Sequence, residues 1–85
     1  MALYLDHHPM AGPIPQEMKD AAVAKIQSGQ PDDFGGTGIN AFFTDSEAWC
    51  LTKADSPDAI HKSHEAIGIT LGAGDIKEVG SFIKV

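Results

Sequence analysis

The stretch that decides the fold is Leu-Tyr-Leu-Asp-His-His, at residues 3–8. Its composition and alternation predict a short β-strand, in which successive side chains point to opposite faces of the sheet. One predicted face carries Leu3, Leu5 and His7, and the other carries Tyr4, Asp6 and His8. The strand therefore ends in a histidine pair, and the proline that follows begins a loop.

Two amphipathic helices are predicted after this strand. The first spans residues 15–28, where an apolar residue recurs every four positions before Gly29. The second opens at residues 55–58, where a capping Asp or Ser precedes a proline, and it ends at Gly68.

The remaining segments predict strands: a hairpin at residues 39–44 and 48–53, and one or two strands at residues 74–85. Two pairs compete for the inward face of the hairpin's second strand, Trp49 with Leu51 and Ala48 with Cys50, and the pattern does not choose between them. The order β-α-β-β-α-β predicts one α+β domain over residues 1–85, of the ferredoxin-like type. Both helices would lie on one face of an antiparallel sheet, with an extra C-terminal strand as an option.

The charge balance argues against nucleic acid as a partner. The chain has 12 acidic residues against six basic ones, all lysines, for a formal charge of −6, so it lacks a basic footprint. No apolar run is long enough to span a bilayer, and the N-terminus lacks the pattern of a signal peptide. The lone thiol suits a reducing compartment, so we expect a cytoplasmic protein.

The small size predicts a homodimer. A chain of 85 residues hides only about 60–65% of the surface that its unfolded form exposes. A single cysteine cannot form an intrachain disulfide. Because the ferredoxin-like arrangement leaves one sheet face uncovered, we expect a second copy to cover it.

Four histidines, in two pairs, are the most informative feature for function: His7 with His8, and His61 with His64. We expect the first and third strands to run parallel at the sheet centre and to end beside the first turns of the second helix. His8 and Asp6 would then approach His61 and His64, which share one helical face. Imidazole and carboxylate ligands suit zinc, nickel, cobalt or copper. The candidate metal ligands are therefore Asp6, His8, His61 and His64.

Several simpler interpretations compete with a metal site. A histidine pair on a helix is commonly a solvated face, and we expect His7 to pack toward the helices. Tyr4, Asp6 and His8 could form an acid–base row on an open sheet face, or a hydrogen-bonded row at a dimer interface. Cys50 is expected to be a buried structural thiol rather than a nucleophile.

Short motifs spread over nearly the whole chain point to one family. They lie at residues 4–8, 49–51, 54–59, 64–68 and 75–79. They include Asp-x-His in the first strand, His-x-x-x-Gly in the second helix and Ile-x-Glu-Val in the tail. In these motifs the chain resembles a family of small single-domain ferredoxin-like proteins, long of unknown function, of which some members are described as nickel-binding.

The resemblance implies a homodimer that holds a divalent metal, typically nickel, on surface histidines and carboxylates. Asp6, His8 and His64 match the family pattern best, whereas His61 fits by geometry more than by pattern. Some relatives carry a further histidine in the first helix, where this chain has alanines, and a Gly-rich loop at residues 35–38 replaces a more ordinary turn. The number of metals and the full ligand set therefore stay open.

The leading hypothesis is a cytoplasmic homodimer that binds nickel, or else zinc, cobalt or copper, for sequestration or homeostasis, rather than an enzyme. Its histidine ligands must be neutral, so affinity should fall below about pH 6. The alternative is a small cofactor-free oxygenase or isomerase of the dimeric α+β barrel type. That enzyme would need an apolar pocket with convergent polar groups such as Tyr4, His8 and Cys50. A third reading is an interaction module whose histidines are incidental.

Overall fold

An antiparallel sheet with two helices forms the framework of the computed structural model, which describes residues 2–9 and 13–80. Within these residues the elements are β1 (Ala2–Pro9), α1 (Gln16–Ser28), β2 (Thr37–Phe43), β3 (Glu47–Ala54), α2 (Pro57–Glu65), a short 3-10 helix (Ala73–Asp75) and β4 (Ile76–Val79). The strands lie in the order β2-β3-β1-β4, and every neighbouring pair is antiparallel. The predicted α+β class is confirmed, and the arrangement is compatible with a ferredoxin-like fold.

The elements lie close to their predicted positions, because the local patterns that mark them are strong. Of the predicted C-terminal strands, β4 covers only Ile76–Val79, and the predicted strand residues beyond Gly80 lie outside the described part of the chain. Neither of the described helices is both long and apolar enough to span a bilayer.

The prediction that the first and third strands run parallel is wrong. β1 and β3 are antiparallel neighbours, with Ala2 opposite Ala54 and His8 opposite Ala48. The end of β3 therefore lies beside the start of β1, and α2 begins there and runs back across the sheet. As a result the last turn of α2, and not its first, reaches the end of β1 that carries His8.

A turn at residues 66–68 ends α2 shortly after His64. Gly68 adopts the left-handed conformation, with φ of 82°, which costs glycine nothing because it has no Cβ. The N–H of Ile69 then donates to the carbonyl oxygen of His64 at 2.9 Å. This hydrogen bond ties down the last turn of the helix, where His64 lies.

The side chains of β1 alternate as predicted, but the face that was expected to be open is the buried one. Tyr4, Asp6 and His8 are buried, and Tyr4 belongs to the core cluster with residues of α2. The polar row is therefore not on an open face. The prediction that His7 packs toward the helices is also wrong, because its ring lies against Trp49, with the ring centroids 5.0 Å apart, on the opposite face.

The same alternation settles the inward face of β3. Ala48, Thr52 and Ala54 are buried, so Cys50 points to the helix side with them, and Trp49 with Leu51 point to the open side. The side chains on the open side repeat in register across the strands, because Leu5 lies opposite Leu51 and His7 opposite Trp49.

The core is small and lies under α2. It consists of Tyr4, Ala54, Ala59, Ile60 and Leu71. α1 packs on β2 while α2 packs on β3, so the two helices stand over different strands. None of the residues of α1 is fully buried, which leaves space between the helices.

Candidate metal centre

The carboxylate of Asp6 is the centre of a cluster of ligand-type side chains. Asp6 has an exposed fraction of 0%. Its Oδ1 lies 3.1 Å from Nδ1 of His8 and 3.3 Å from Nε2 of His64. The two imidazole rings meet edge to face, with their centroids 5.0 Å apart. One buried oxygen therefore faces a nitrogen from each of two histidines.

A backbone hydrogen bond orients His64 for ligation. Nδ1–H of His64 donates to the carbonyl oxygen of Ile60, one turn earlier in α2, at 2.8 Å. This hydrogen bond places the remaining proton or lone pair of the ring on Nε2, the nitrogen that faces Asp6. Metal-binding histidines in proteins commonly have their second nitrogen held by a carbonyl or carboxylate in this way.

Cys50 completes the cluster from the neighbouring strand. It lies directly opposite Asp6 in the β1–β3 register, and its thiol is free of any disulfide. Asp6, His8, Cys50 and His64 each offer one ligand atom, and these atoms all lie within 4.8 Å of one another. From the sequence, Cys50 was expected to be a structural thiol, or a polar group in the pocket of the alternative enzyme, and not a metal ligand. The antiparallel register was the signal that would have placed it here.

The structure brings together three of the four predicted ligands, Asp6, His8 and His64, and leaves His61 out. His61 lies one turn earlier in α2, outside the cluster. Spacing of three residues puts both histidines on neighbouring helix positions, but only the later one reaches the buried carboxylate. His7 also lies outside the cluster.

Charge pairing dominates the electrostatics of the cluster. Burial alone would raise the pKa of Asp6, but hydrogen bonds from His64 and His8 outweigh it and lower the pKa below 3.8. Burial alone would lower the pKa of His64, but the interactions with Asp6 and Cys50 outweigh it and raise the pKa to about 10. Without a metal, an imidazolium and a carboxylate thus face each other at neutral pH.

One oxygen of this carboxylate has no partner. Among the described residues, Oδ2 of Asp6 is the buried side-chain oxygen or nitrogen that makes no hydrogen bond. Leaving a buried acceptor unsatisfied is costly, by about 1–3 kcal/mol and more when it is charged. A cation that bound this carboxylate through Oδ2 would satisfy the oxygen.

Two of the separations within the cluster are close to those expected around a tetrahedral ion. Bonds of ~2.0–2.1 Å from a tetrahedral zinc-type ion to nitrogen and oxygen set neighbouring ligand atoms about 3.3 Å apart. The observed separations of Asp6 Oδ1 from the two imidazole nitrogens are 3.1 and 3.3 Å. Two imidazoles, one carboxylate and one thiolate are ligands that such ions accept. Asp6, His8, Cys50 and His64 could therefore hold a metal ion.

The chain has no match among models of known protein families, curated proteins or solved structures. The family resemblance predicted from short motifs stays a prediction. The functional argument rests on the residues of the chain itself.

Proposed function

We propose that this chain binds one transition-metal ion through Asp6, His8, Cys50 and His64. The observation that carries the proposal is a set of four ligand atoms within 4.8 Å of one another, three of them on buried residues. In addition, one oxygen of the Asp6 carboxylate lacks a partner. Surface carboxylates and histidines commonly lie near one another without a metal, whereas three of these four residues are buried.

The ligand chemistry favours a zinc-type ion. A thiolate with two imidazoles at tetrahedral spacing suits zinc or cobalt, whereas nickel(II) with nitrogen and oxygen ligands often adopts a square-planar geometry. Nickel, which the resemblance implies, therefore belongs in the test panel beside zinc, cobalt and copper. Four protein ligands leave no open position on a tetrahedral ion, which supports retention of the metal, as in sequestration or homeostasis, over turnover.

Metal analysis and calorimetric titration of protein purified without a histidine tag test this proposal. The wild-type chain should bind one equivalent, and Cys50→Ser or His64→Gln should weaken binding by more than about 100-fold, since even residues behind the ligands cost 10–100-fold. His61→Gln is the matched control, because it removes a histidine from the same helix outside the cluster. Wild-type affinity in His64→Gln, or an equal loss in His61→Gln, would overturn the assignment.

Cobalt(II) gives a spectroscopic test of the ligand set. A tetrahedral cobalt site with a thiolate ligand should show visible absorption bands and a sulfur-to-metal charge-transfer band. The charge-transfer band should vanish in Cys50→Ser. If the band persists there, the thiol is not a ligand.

We further propose that a second copy covers the open face of the sheet. Leu3, Leu5, Trp49 and Leu51 share this face by strand alternation, and Phe42, 51% exposed, lies opposite Trp49. Light scattering should report a dimer, and Trp49→Glu, which buries a charge in that interface, should give a monomer. A monomeric wild-type chain would contradict this part of the proposal and leave the metal site untouched.

A further inference from the structure

A cavity of 570 Å³ lies between the helices and the sheet, beside the metal centre. Its walls include Met18, Ala22 and Ile26 of α1 and Phe43 of β2, and its buried end is formed by His8 and His64. Sites for small molecules in proteins typically enclose about 300–1,000 Å³ and are mainly apolar with a few polar groups. The cavity matches that description in size and in chemistry.

The helix arrangement creates this space. Protein interiors normally leave few voids larger than a water molecule, yet α1 holds its apolar stripe over the cavity. Met18, Ala22 and Ile26 are all only partly buried, although their spacing of four residues makes one continuous apolar face. Within the described part of the chain, this apolar face of α1 is therefore only partly covered by other residues.

His8 supplies a hydrogen-bond acceptor at the buried end. Its Nδ1–H donates to the carboxylate of Asp6, so the neutral ring carries its lone pair on Nε2. Within the part of the chain that the structure describes, this Nε2 has no hydrogen-bond partner, while His8 lines the cavity. A hydroxyl group on a bound molecule could donate to this nitrogen.

The charges that line the cavity favour a neutral molecule. The Lys25 ammonium is paired with Asp32 at 3.0 Å, and the His64 imidazole is paired with Asp6 at 3.3 Å. Two further carboxylates, Glu17 and Asp33, also line the cavity. A permanently charged anion would therefore meet no free cation among these lining groups, and burying it unpaired would be costly.

We propose that this cavity binds a small, neutral, mainly apolar molecule whose single hydroxyl, of the phenol or enol class, donates to Nε2 of His8. The inference goes beyond metal binding and does not rest on it, because the apolar walls and the His8 acceptor are present in the chain alone. It supplies the apolar pocket that the predicted enzyme alternative requires, and it assigns no reaction.

Three probes that share one ring system test the proposal on the full chain: 2-naphthol, naphthalene and 2-naphthoate. Calorimetry or ligand fluorescence with EDTA present keeps metal out of the comparison. 2-Naphthol should bind roughly 3- to 10-fold tighter than naphthalene, the range of one net hydrogen bond. 2-Naphthoate should bind at least about 10-fold more weakly than 2-naphthol.

Two substitutions on α1 give a matched pair. Ala22→Phe places a ring in the cavity and should weaken 2-naphthol binding by at least about 10-fold, because a filled pocket excludes the ligand. Val23→Phe adds the same ring next to it on a residue that is 49% exposed and should leave binding unchanged. His8→Phe should reduce 2-naphthol to the affinity of naphthalene while naphthalene itself still binds, which also shows that this variant folds.

Saturable 2-naphthol binding that Ala22→Phe removes and Val23→Phe preserves supports the proposal. Absence of binding, equal loss in both α1 variants, or tightest binding of 2-naphthoate overturns it. Metal affinity of Ala22→Phe should equal that of the wild type, so a failed metal proposal and a failed cavity proposal give different results.

Discussion

The two faces of the sheet place neighbouring histidines in opposite environments. His8 is 4% exposed and lies 3.1 Å from a fully buried carboxylate. The side chain of His7 is 38% exposed, and its Nε2 lies only 2.7 Å from Glu47 on the open face. Water competes with an exposed pair and screens it, whereas a buried charge that loses its partner has no substitute. Burial, more than distance, should therefore decide which of the two contacts contributes more to the stability of the protein.

The largest expected effect follows from removing the buried charge. Asp6→Asn should destabilise the metal-free protein by about 3 kcal/mol, because the buried imidazolium of His64 loses the negative charge that it is paired with. Urea denaturation in the presence of EDTA measures this loss. If the cost is below about 1 kcal/mol, the buried face is no more important than the open one and the comparison fails.

The pH dependence of this stability has a definite sign. Because the pKa of His64 is raised to about 10, its contribution is complete below the ordinary imidazole pKa and is lost as pH rises through about 10. The lowered pKa of Asp6 contributes stability above its ordinary value that is lost as pH falls through the lowered one. The alkaline loss should be absent in Asp6→Asn.

Loss of the same proton from His64, which lowers the stability of the metal-free protein, should raise its metal affinity. A metal must displace the proton on Nε2 of His64, whose pKa is about 10, so the apparent affinity should rise by roughly 30-fold between about pH 7 and 8.5 from this proton alone. Competition titrations with a chelator at several pH values measure it. A plateau above about pH 7 would show that His64 keeps an ordinary pKa or is not a ligand.

Asp32 provides a smaller test in the loop between α1 and β2. Its Oδ1 accepts hydrogen bonds from the N–H groups of Phe34 and Gly36, and Lys25 reaches its Oδ2. Burial opposes ionisation, but the hydrogen bond and charge of Lys25 and these N–H groups outweigh it and lower the pKa of Asp32 below 3.8.

Asp32→Asn should therefore cost about 1 kcal/mol at neutral pH. The wild type should lose this contribution as pH falls through the lowered pKa, and the variant should show no such loss. Thermal denaturation between about pH 3 and 7 compares the two chains, with Asp33→Asn as the control one residue along. Equal effects of the two substitutions would contradict the assigned role of Asp32.

The sequence predicts most of the elements because their signals are local. Gly29 adopts φ of 66° at the C-terminus of α1, as its position after an apolar period of four suggested. The strands at residues 37–43 and 47–54 also lie within two residues of the predicted hairpin. Such patterns need no knowledge of distant neighbours.

The candidate site depends on partners far apart in the sequence, and the sequence predicted it only in part. Asp6 and His8 were grouped because they share a strand face. Cys50 was missed because its place opposite Asp6 depends on the relative direction of β1 and β3, which was predicted wrongly. His61 was included because helical spacing pairs it with His64, although only the last turn of α2 reaches the carboxylate.

The smallest expected effect is on the open face. Glu47→Gln should change the free energy of unfolding of the monomeric chain by less than about 0.5 kcal/mol, even though its 2.7 Å contact with His7 is shorter than either contact of Asp6. Both side chains are already near water, so the solvent can replace what the substitution removes. Urea denaturation at several protein concentrations separates this effect from dimerisation, and salt should erase it. If Glu47→Gln costs as much as Asp6→Asn, then proximity ranks these contacts and burial does not.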